Sequence, residues 1–193
     1  MIKRELYVLL QQKMKPELLQ HSLGVKKVAC RLASSFGVNP QQAALAGLLH
    51  DYGKIYPAEL LEKVAREHRL VDSTYIAEKQ LLHAPVGAWL VEQELGVTDH
   101  EVLEAIRWHT TGSPHLNTLG IIIYVADFCE PGRSFPEAEE VRKFAFQDLT
   151  GAALKAVGHT LCFLIKGERQ IHPCSWYFYN MLVARQGSRK EEV

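Results

Sequence analysis

Apolar side chains recur along this chain at intervals of three and four residues, the spacing that lines one face of a helix with ~3.6 residues per turn. No stretch alternates apolar and polar residues as a half-buried strand does, so the pattern predicts an all-α protein. Turn chemistry divides the helical pattern. The apolar stretch Leu6 to Leu10 belongs to a first helix; Pro16 opens a second that Gly37 closes, since proline fits the first helical turn and glycine the left-handed position just past the end. Asn39 and Pro40 introduce a helix from Gln41 to about Asp51, ended by Gly53, whose small residues Ala43, Ala44, Ala46 and Gly47 suit close approach of its neighbours. It should be central and buried.

Pro57 begins a helix to about Glu67, Asp72 or Ser73 caps one through Leu81, and Pro85 sits early in another that ends at Gly96. Thr98 and Glu101 have the T-x-x-E form of a capping box, which starts a helix from Asp99 to Trp108 or His109 before the breaker run Thr111 to Pro114. An apolar helix spans Thr118 to Cys129 and is stopped by Pro131 and Gly132. Further helices are expected over 136–146, 149–165 and 175–185. The pattern shows no repeat or linker, so residues 1–186 are expected to form one compact helical-bundle domain and residues 187–193 a flexible polar tail.

Composition narrows the class. A chain of 193 residues with 47% hydrophobic side chains has enough apolar surface for a real core. Its 22 basic residues balance 22 acidic ones, which removes the electrostatic reason to expect long nucleic acid or an anionic membrane as partner. The longest apolar run, Leu119 to Ala126, is far short of the ~20 residues that cross a bilayer, and the segment after Lys3 and Arg4 lacks the features of a targeting sequence. Cys30, Cys129, Cys162 and Cys174 form no C-x-x-C pair, and the expectation is four reduced, buried thiols in a cytoplasmic protein.

Histidine changes the picture. His21 shares a helical face with Val25, Val28 and Leu32, His50 with Ala43, Ala46 and Gly47, and His109 with Val102, Ala105 and Ile106. Three imidazoles therefore point inward from three helices. His83 precedes a helix, Asp51 adjoins His50, and Asp127 lies within the apolar helix. A buried carboxylate without a partner costs several kcal/mol, so this group of residues calls for pairing, hydrogen bonding or a cation. Six nitrogen and oxygen donors without thiolates suit iron, manganese, cobalt or zinc, and are enough for two metals.

The strings HSLGV (21–25), AGLLHDYGK (46–54), LLHAPVGA (81–88), HTTG (109–112) and YVADFCEPGR (124–133) occur in that order. With His50 and Asp51 adjacent, they resemble the H…HD…D signature of HD-domain metal-dependent phosphohydrolases. Over nearly the whole chain the resemblance is to the bacterial YqeK-type subgroup, symmetrical diadenosine tetraphosphate hydrolases. That resemblance implies that His21, His50, Asp51 and Asp127 hold one metal, that His83 and His109 add a second with Asp51 bridging, and that the metal is iron. It further implies a nucleotide substrate cleaved to two ADP by a metal-bridged hydroxide, with Asp51 catalytic.

Phosphoryl transfer needs charge neutralisation around the reacting phosphate. Lys54, just past the predicted end of its helix, is a candidate for that catalytic and phosphate-binding role, or a partner for the helix dipole. Arg133 is a candidate phosphate clamp unless Glu130 pairs with it. Thr110, Thr111 and Gly112 are candidates for the pocket mouth, and His115 for a phosphate donor or a loop cap. His68, His100, His159 and His172 are expected in surface or capping roles, and the aromatic run Trp176 to Tyr179 in core packing rather than base stacking. The intact donor set favours an enzyme over two alternatives, an HD-domain enzyme on another nucleotide and a metal- and nucleotide-binding sensor with little turnover. Monomer and homodimer both remain open.

Overall fold

The computed structural model describes residues 4–191. Among them are eleven α-helices, two 3-10 turns and no strand. Helices α1 (Arg4–Lys13), α2 (Pro16–Ser35) and α3 (Pro40–Leu49) lead to a 3-10 turn, Tyr52–Ile55. Then follow α4 (Ala58–Glu67), α5 (Ser73–Ala77), a second 3-10 turn at Lys79–Leu81, α6 (His83–Leu95) and α7 (His100–Trp108). The chain ends with α8 (Thr118–Cys129), α9 (Pro136–Phe144), α10 (Leu149–Lys166) and α11 (Pro173–Glu191).

Helix α8 is the axis of the bundle. Every residue from Leu119 to Ala126 is buried, and α2, α3, α7, α9 and α10 pack around it. Helix α3 is also central, as its small residues predicted: a Cβ on Gly47 would lie 3.0 Å from the Cα of Lys26, so α2 and α3 approach almost backbone to backbone. Gly37 and Gly96 take the left-handed conformation at φ +68 and +66 and close α2 and α6 where the pattern placed their ends.

Several boundaries differ for identifiable reasons. Helix α3 stops at Leu49 rather than about Asp51, and the chain tightens into the Tyr52–Ile55 turn. Gly53 is needed there for space: a Cβ would sit 2.3 Å from the carbonyl oxygen of His83. The helix expected through Leu81 divides, because Glu78 takes the non-helical φ −108, ψ 78 between α5 and the second 3-10 turn. Thr98 does not cap α7. Asp99 does, its side chain accepting from the N–H groups of Glu101 and Val102, while Glu101 accepts from Gln42 and Asn117. Helix α11 continues as helix through Gly187 to Glu191, and residues 192 and 193 lie outside the described residues. Of the four thiols only Cys129 is buried; Cys30 and Cys174 are half-buried and Cys162 is exposed, so the expectation of four buried thiols was too broad. No helix among the described residues is long and apolar enough to cross a membrane.

Candidate metal centre

The six predicted donors converge on one place. His21 comes from α2, His50 and Asp51 from the break after α3, His83 from the start of α6, His109 from the end of α7 and Asp127 from the last turn of α8. In one half of the cluster, His21 Nε2 lies 3.2 Å from His50 Nε2 and 3.0 Å from Asp127 Oδ1. In the other, His83 Nε2 lies 3.2 Å from His109 Nε2. Asp51 joins them with a different oxygen for each. Its Oδ2 is 3.3 Å from His50 Nε2 and 3.6 Å from His21 Nε2, whereas its Oδ1 is 3.4 Å from both His83 Nε2 and His109 Nε2.

The outer nitrogens decide what the inner ones offer. His50 Nδ1 faces the carbonyl oxygen of Gly47 at 2.9 Å, His83 Nδ1 that of Gln80 at 2.6 Å, and His109 Nδ1 that of Ile106 at 2.7 Å. Carbonyl oxygens only accept, so each Nδ1 carries a proton, and it is the Nε2 lone pair that each ring, in its neutral form, turns inward. His21 Nδ1 donates to Glu130 Oε1 at 3.2 Å, with the same effect. Four lone pairs and two carboxylates thus meet, and Asp51 Oδ1, though buried, accepts no hydrogen bond. Acceptors facing acceptors at these distances repel unless a cation lies between them. The donor set therefore fits divalent metal ions, and His21, His50 and Asp127 on one side and His50, Asp51 and His109 on the other are each close enough to share one.

The electrostatics agree with a cation-ready centre. Burial works against ionisation of Asp51, yet His50, His109 and His83 hold its carboxyl well below the usual range. Burial likewise opposes ionisation of Asp127, but His21 and His50 lower it. Burial disfavours a charged His50, and the adjacent Asp51 outweighs it and raises the imidazole. His109 differs: burial pushes it down to about 4, so its imidazole is neutral at ordinary pH.

Around the cluster the candidates separate. Lys54 is half-exposed and donates to Asp51 Oδ2 at 2.8 Å. Arg133, also half-exposed, donates to Asp127 Oδ1 at 2.9 Å rather than pairing with Glu130. Glu130 is committed elsewhere, accepting from His21 and from the N–H of Gly132. Thr110 Oγ1 lies 3.1 Å from His109 Nε2 and 3.3 Å from His83 Nε2. Thr111 and Gly112 are turned into the core: Thr111 Oγ1 meets the Tyr75 hydroxyl at 3.1 Å, and a Cβ on Gly112, at φ +68, would strike the Phe178 ring. His115 is exposed on the loop before α8, its own N–H donating to Ser113 Oγ, and is not brought into the cluster. The run Trp176 to Tyr179 splits, with Phe178 fully buried against Tyr124 and Trp176 and Tyr177 exposed, so the core reading holds for Phe178 alone of these three. His172 is buried, yet it does cap: its Nδ1 accepts from the N–H of Cys174 at the start of α11.

Three features had escaped the sequence reading. Glu130 orients His21, and it fits because a Cβ on Gly24 would lie 2.4 Å from its Oε2. The E-P-G sequence after α8 signals a turn but does not say that it returns to α2. Arg142 of α9 donates to the carbonyls of Cys129, Glu130 and Arg133, which fixes the turn that carries Arg133. Finally, a cleft of about 180 Å³ opens beside the cluster, with His109, Thr110 and Asp127 as its inner wall and Tyr124, Phe128, Arg133, Phe135 and Thr160 around them.

An HD domain matches residues 18–132, a span that contains all six donors. The fold and the cluster together define an HD-domain protein. The symmetrical bis(5'-nucleosyl)-tetraphosphatase of Bacillus subtilis (strain 168) is 40% identical over 164 residues, 85% of this chain and 88% of the relative. That of Staphylococcus aureus (strain NCTC 8325 / PS 47) is 31% identical over 166 residues, 85% and 86% of the two chains. The chain belongs to the HD-domain family, within its group of symmetrical bis(5'-nucleosyl)-tetraphosphatases. A crystal structure from Clostridium acetobutylicum, described as a predicted HD superfamily hydrolase involved in NAD metabolism, has the same fold, with a TM-score of 0.90 and 34% identity over 94% of this chain and 96% of that one.

Proposed function

We propose that this chain hydrolyses diadenosine tetraphosphate symmetrically to two ADP at a dinuclear metal centre. One ion is held by His21, His50, Asp51 and Asp127 and the other by His83, His109 and Asp51. The observation that carries the reading is the division of Asp51, whose two oxygens each face a separate set of imidazole lone pairs. When bound, two divalent ions make water nucleophilic near neutral pH and offset the charge on attacking and leaving oxygens. Nitrogen and oxygen donors accommodate iron, manganese and cobalt alike. Iron is the metal that the family resemblance implies.

The protein's own groups do the rest. Lys54 and Arg133 each spend one donor on a carboxylate of the centre and keep others for phosphate oxygens, so the polyphosphate lies across the cluster between two cations. Thr110 supplies a hydroxyl on the His83 side. The cleft beside Asp127 places Phe128 and Phe135 where an adenine face can stack, and its size admits a nucleotide end rather than long nucleic acid. Residues 1–186 act as one catalytic unit in the cytoplasm.

The test is anaerobic purification, metal analysis and an assay with diadenosine tetraphosphate read by chromatography. About two metal ions per chain with ADP as sole product are expected for a two-metal centre. ATP plus AMP overturns symmetric attack. Full metal occupancy without turnover moves the reading to another nucleotide or to a sensor, and protein that binds no metal overturns the centre itself.

A further inference from the structure

Asp51 and Lys54 are not on a helix. They flank and occupy the short Tyr52–Ile55 turn, so the geometry of the centre depends on what holds that turn in place. One support is the contact of Gly53 with the His83 carbonyl, which seats the turn on the first residue of α6. A second lies at the other end of α6. The fully buried Tyr52 sends its hydroxyl to Glu94 Oε2 at 2.8 Å, and Tyr56, four residues later, sends its hydroxyl to Glu94 Oε1 at 2.5 Å. Lys13, the last residue of α1, donates to the same Oε2 at 3.0 Å and to the Tyr52 hydroxyl at 3.1 Å.

One carboxylate therefore receives three donors from two elements, and the two tyrosines bracket the turn. We propose that Glu94 is a positioning residue for the metal centre: clasped by Tyr52, Tyr56 and Lys13, it holds the Tyr52–Ile55 turn, and through it Asp51 and Lys54, in register with His83 on the same helix. Glu94 touches no donor of the cluster itself, so its effect passes through the turn. Glu94 is a carboxylate at neutral pH, paired with the Lys13 ammonium. Burial opposes ionisation of Glu94, but hydrogen bonds from Tyr56, Lys13 and Tyr52 lower its carboxyl, while Glu94 and Tyr52 raise the Lys13 ammonium.

The register matters because Asp51 serves both halves. If the turn shifts along α6, Oδ1 leaves His83 and His109 while Oδ2 still follows His50, its sequence neighbour. Loosening the clasp should thus weaken the His83 side first. This inference rests on the dinuclear reading of the centre and is independent of which nucleotide is the substrate.

The test compares Glu94→Gln and Tyr52→Phe with the native protein, each loaded with manganese and dialysed against graded chelator, with metal per chain as the first readout. Orienting partners outside a metal's own ligand set are worth about 10–100-fold in affinity or activity, so about tenfold weaker retention of one of the two ions is expected, with the other unchanged. Turnover, measured separately, should fall chiefly in kcat, with a smaller rise in KM because Lys54 moves with the turn. Tyr52→Phe removes one oxygen from a packed ring, and circular dichroism checks that it keeps its fold if Glu94→Gln does not. Retention of both ions within twofold of native in a folded variant overturns the proposal, whatever happens to melting temperature. If retention drops as expected but native protein leaves diadenosine tetraphosphate intact, the clasp stands and the substrate reading falls.

Discussion

The two halves of the candidate centre present the same imidazole groups under different electrostatic conditions. On the His21 side, Asp127 and Asp51 face the imidazoles directly, and Glu130 stands behind His21. On the His83 side only Asp51 Oδ1 is present, both histidines are oriented by neutral backbone carbonyls, and His109 is almost fully enclosed. The consequence appears in the proton affinities: the carboxylates raise His50, whereas burial lowers His109 to about 4. A proton here is a stand-in for any cation. The carboxylate-rich side should bind a metal tightly by itself, and the imidazole side should depend on Asp51 being shared.

Removing the shared group should do the most damage. Asp51→Ala takes a ligand from both halves and should lower turnover by about 10³-fold, as losing a principal electrostatic stabiliser does, with less than the native metal content. Retention of both ions in that variant would show that the halves are independent. His109→Gln tests the weaker side: about one ion per chain should remain, with turnover down about 100-fold. If both ions are lost together, the division into a tight and a weak side is wrong.

Smaller effects sharpen the contrast. Glu130→Gln keeps the shape that fills the space beside Gly24 but removes the charge behind His21, and metal retention on that side should fall about tenfold by chelator titration. Arg133→Ala removes a charge-assisted contact from the edge of the same side. Because the guanidinium is partly solvated, KM for the tetraphosphate should rise by about tenfold or less while metal content stays native. An unchanged KM would remove Arg133 from the substrate path.

Four of the six candidate donors were legible because helical periodicity turns them toward apolar neighbours, whereas Asp51 and His83 were found by their place beside His50 and in the LLHAPVGA string. His21, His50 and His109 each fall on a buried stripe, and Asp127 lies in a helix with little polar surface of its own. The surrounding contacts were less legible. Thr111 and Gly112 sit beside His109 in sequence, yet the left-handed turn at Gly112 sends them toward Tyr75 and Phe178. A local pair of Glu130 with Arg133 was the alternative to a phosphate clamp, and the turn after α8 instead gives Glu130 to α2 and leaves Arg133 with Asp127. In each case proximity along the chain misled because a turn reverses the direction of the side chain.

The sequence by itself determined the helical class, most helix ends and which six polar side chains were candidates to converge, since those depend on periodicity, capping and residue type within a few positions. Only the tertiary structure decided how the donors divide, which Asp51 oxygen faces which pair, and that Glu94 meets Lys13 across 81 residues. Those outcomes depend on how close two backbones come. Gly53 allows an approach to the His83 carbonyl, thirty residues on, that a single Cβ would block, and Gly47 lets α3 lie close against the Lys26 backbone of α2.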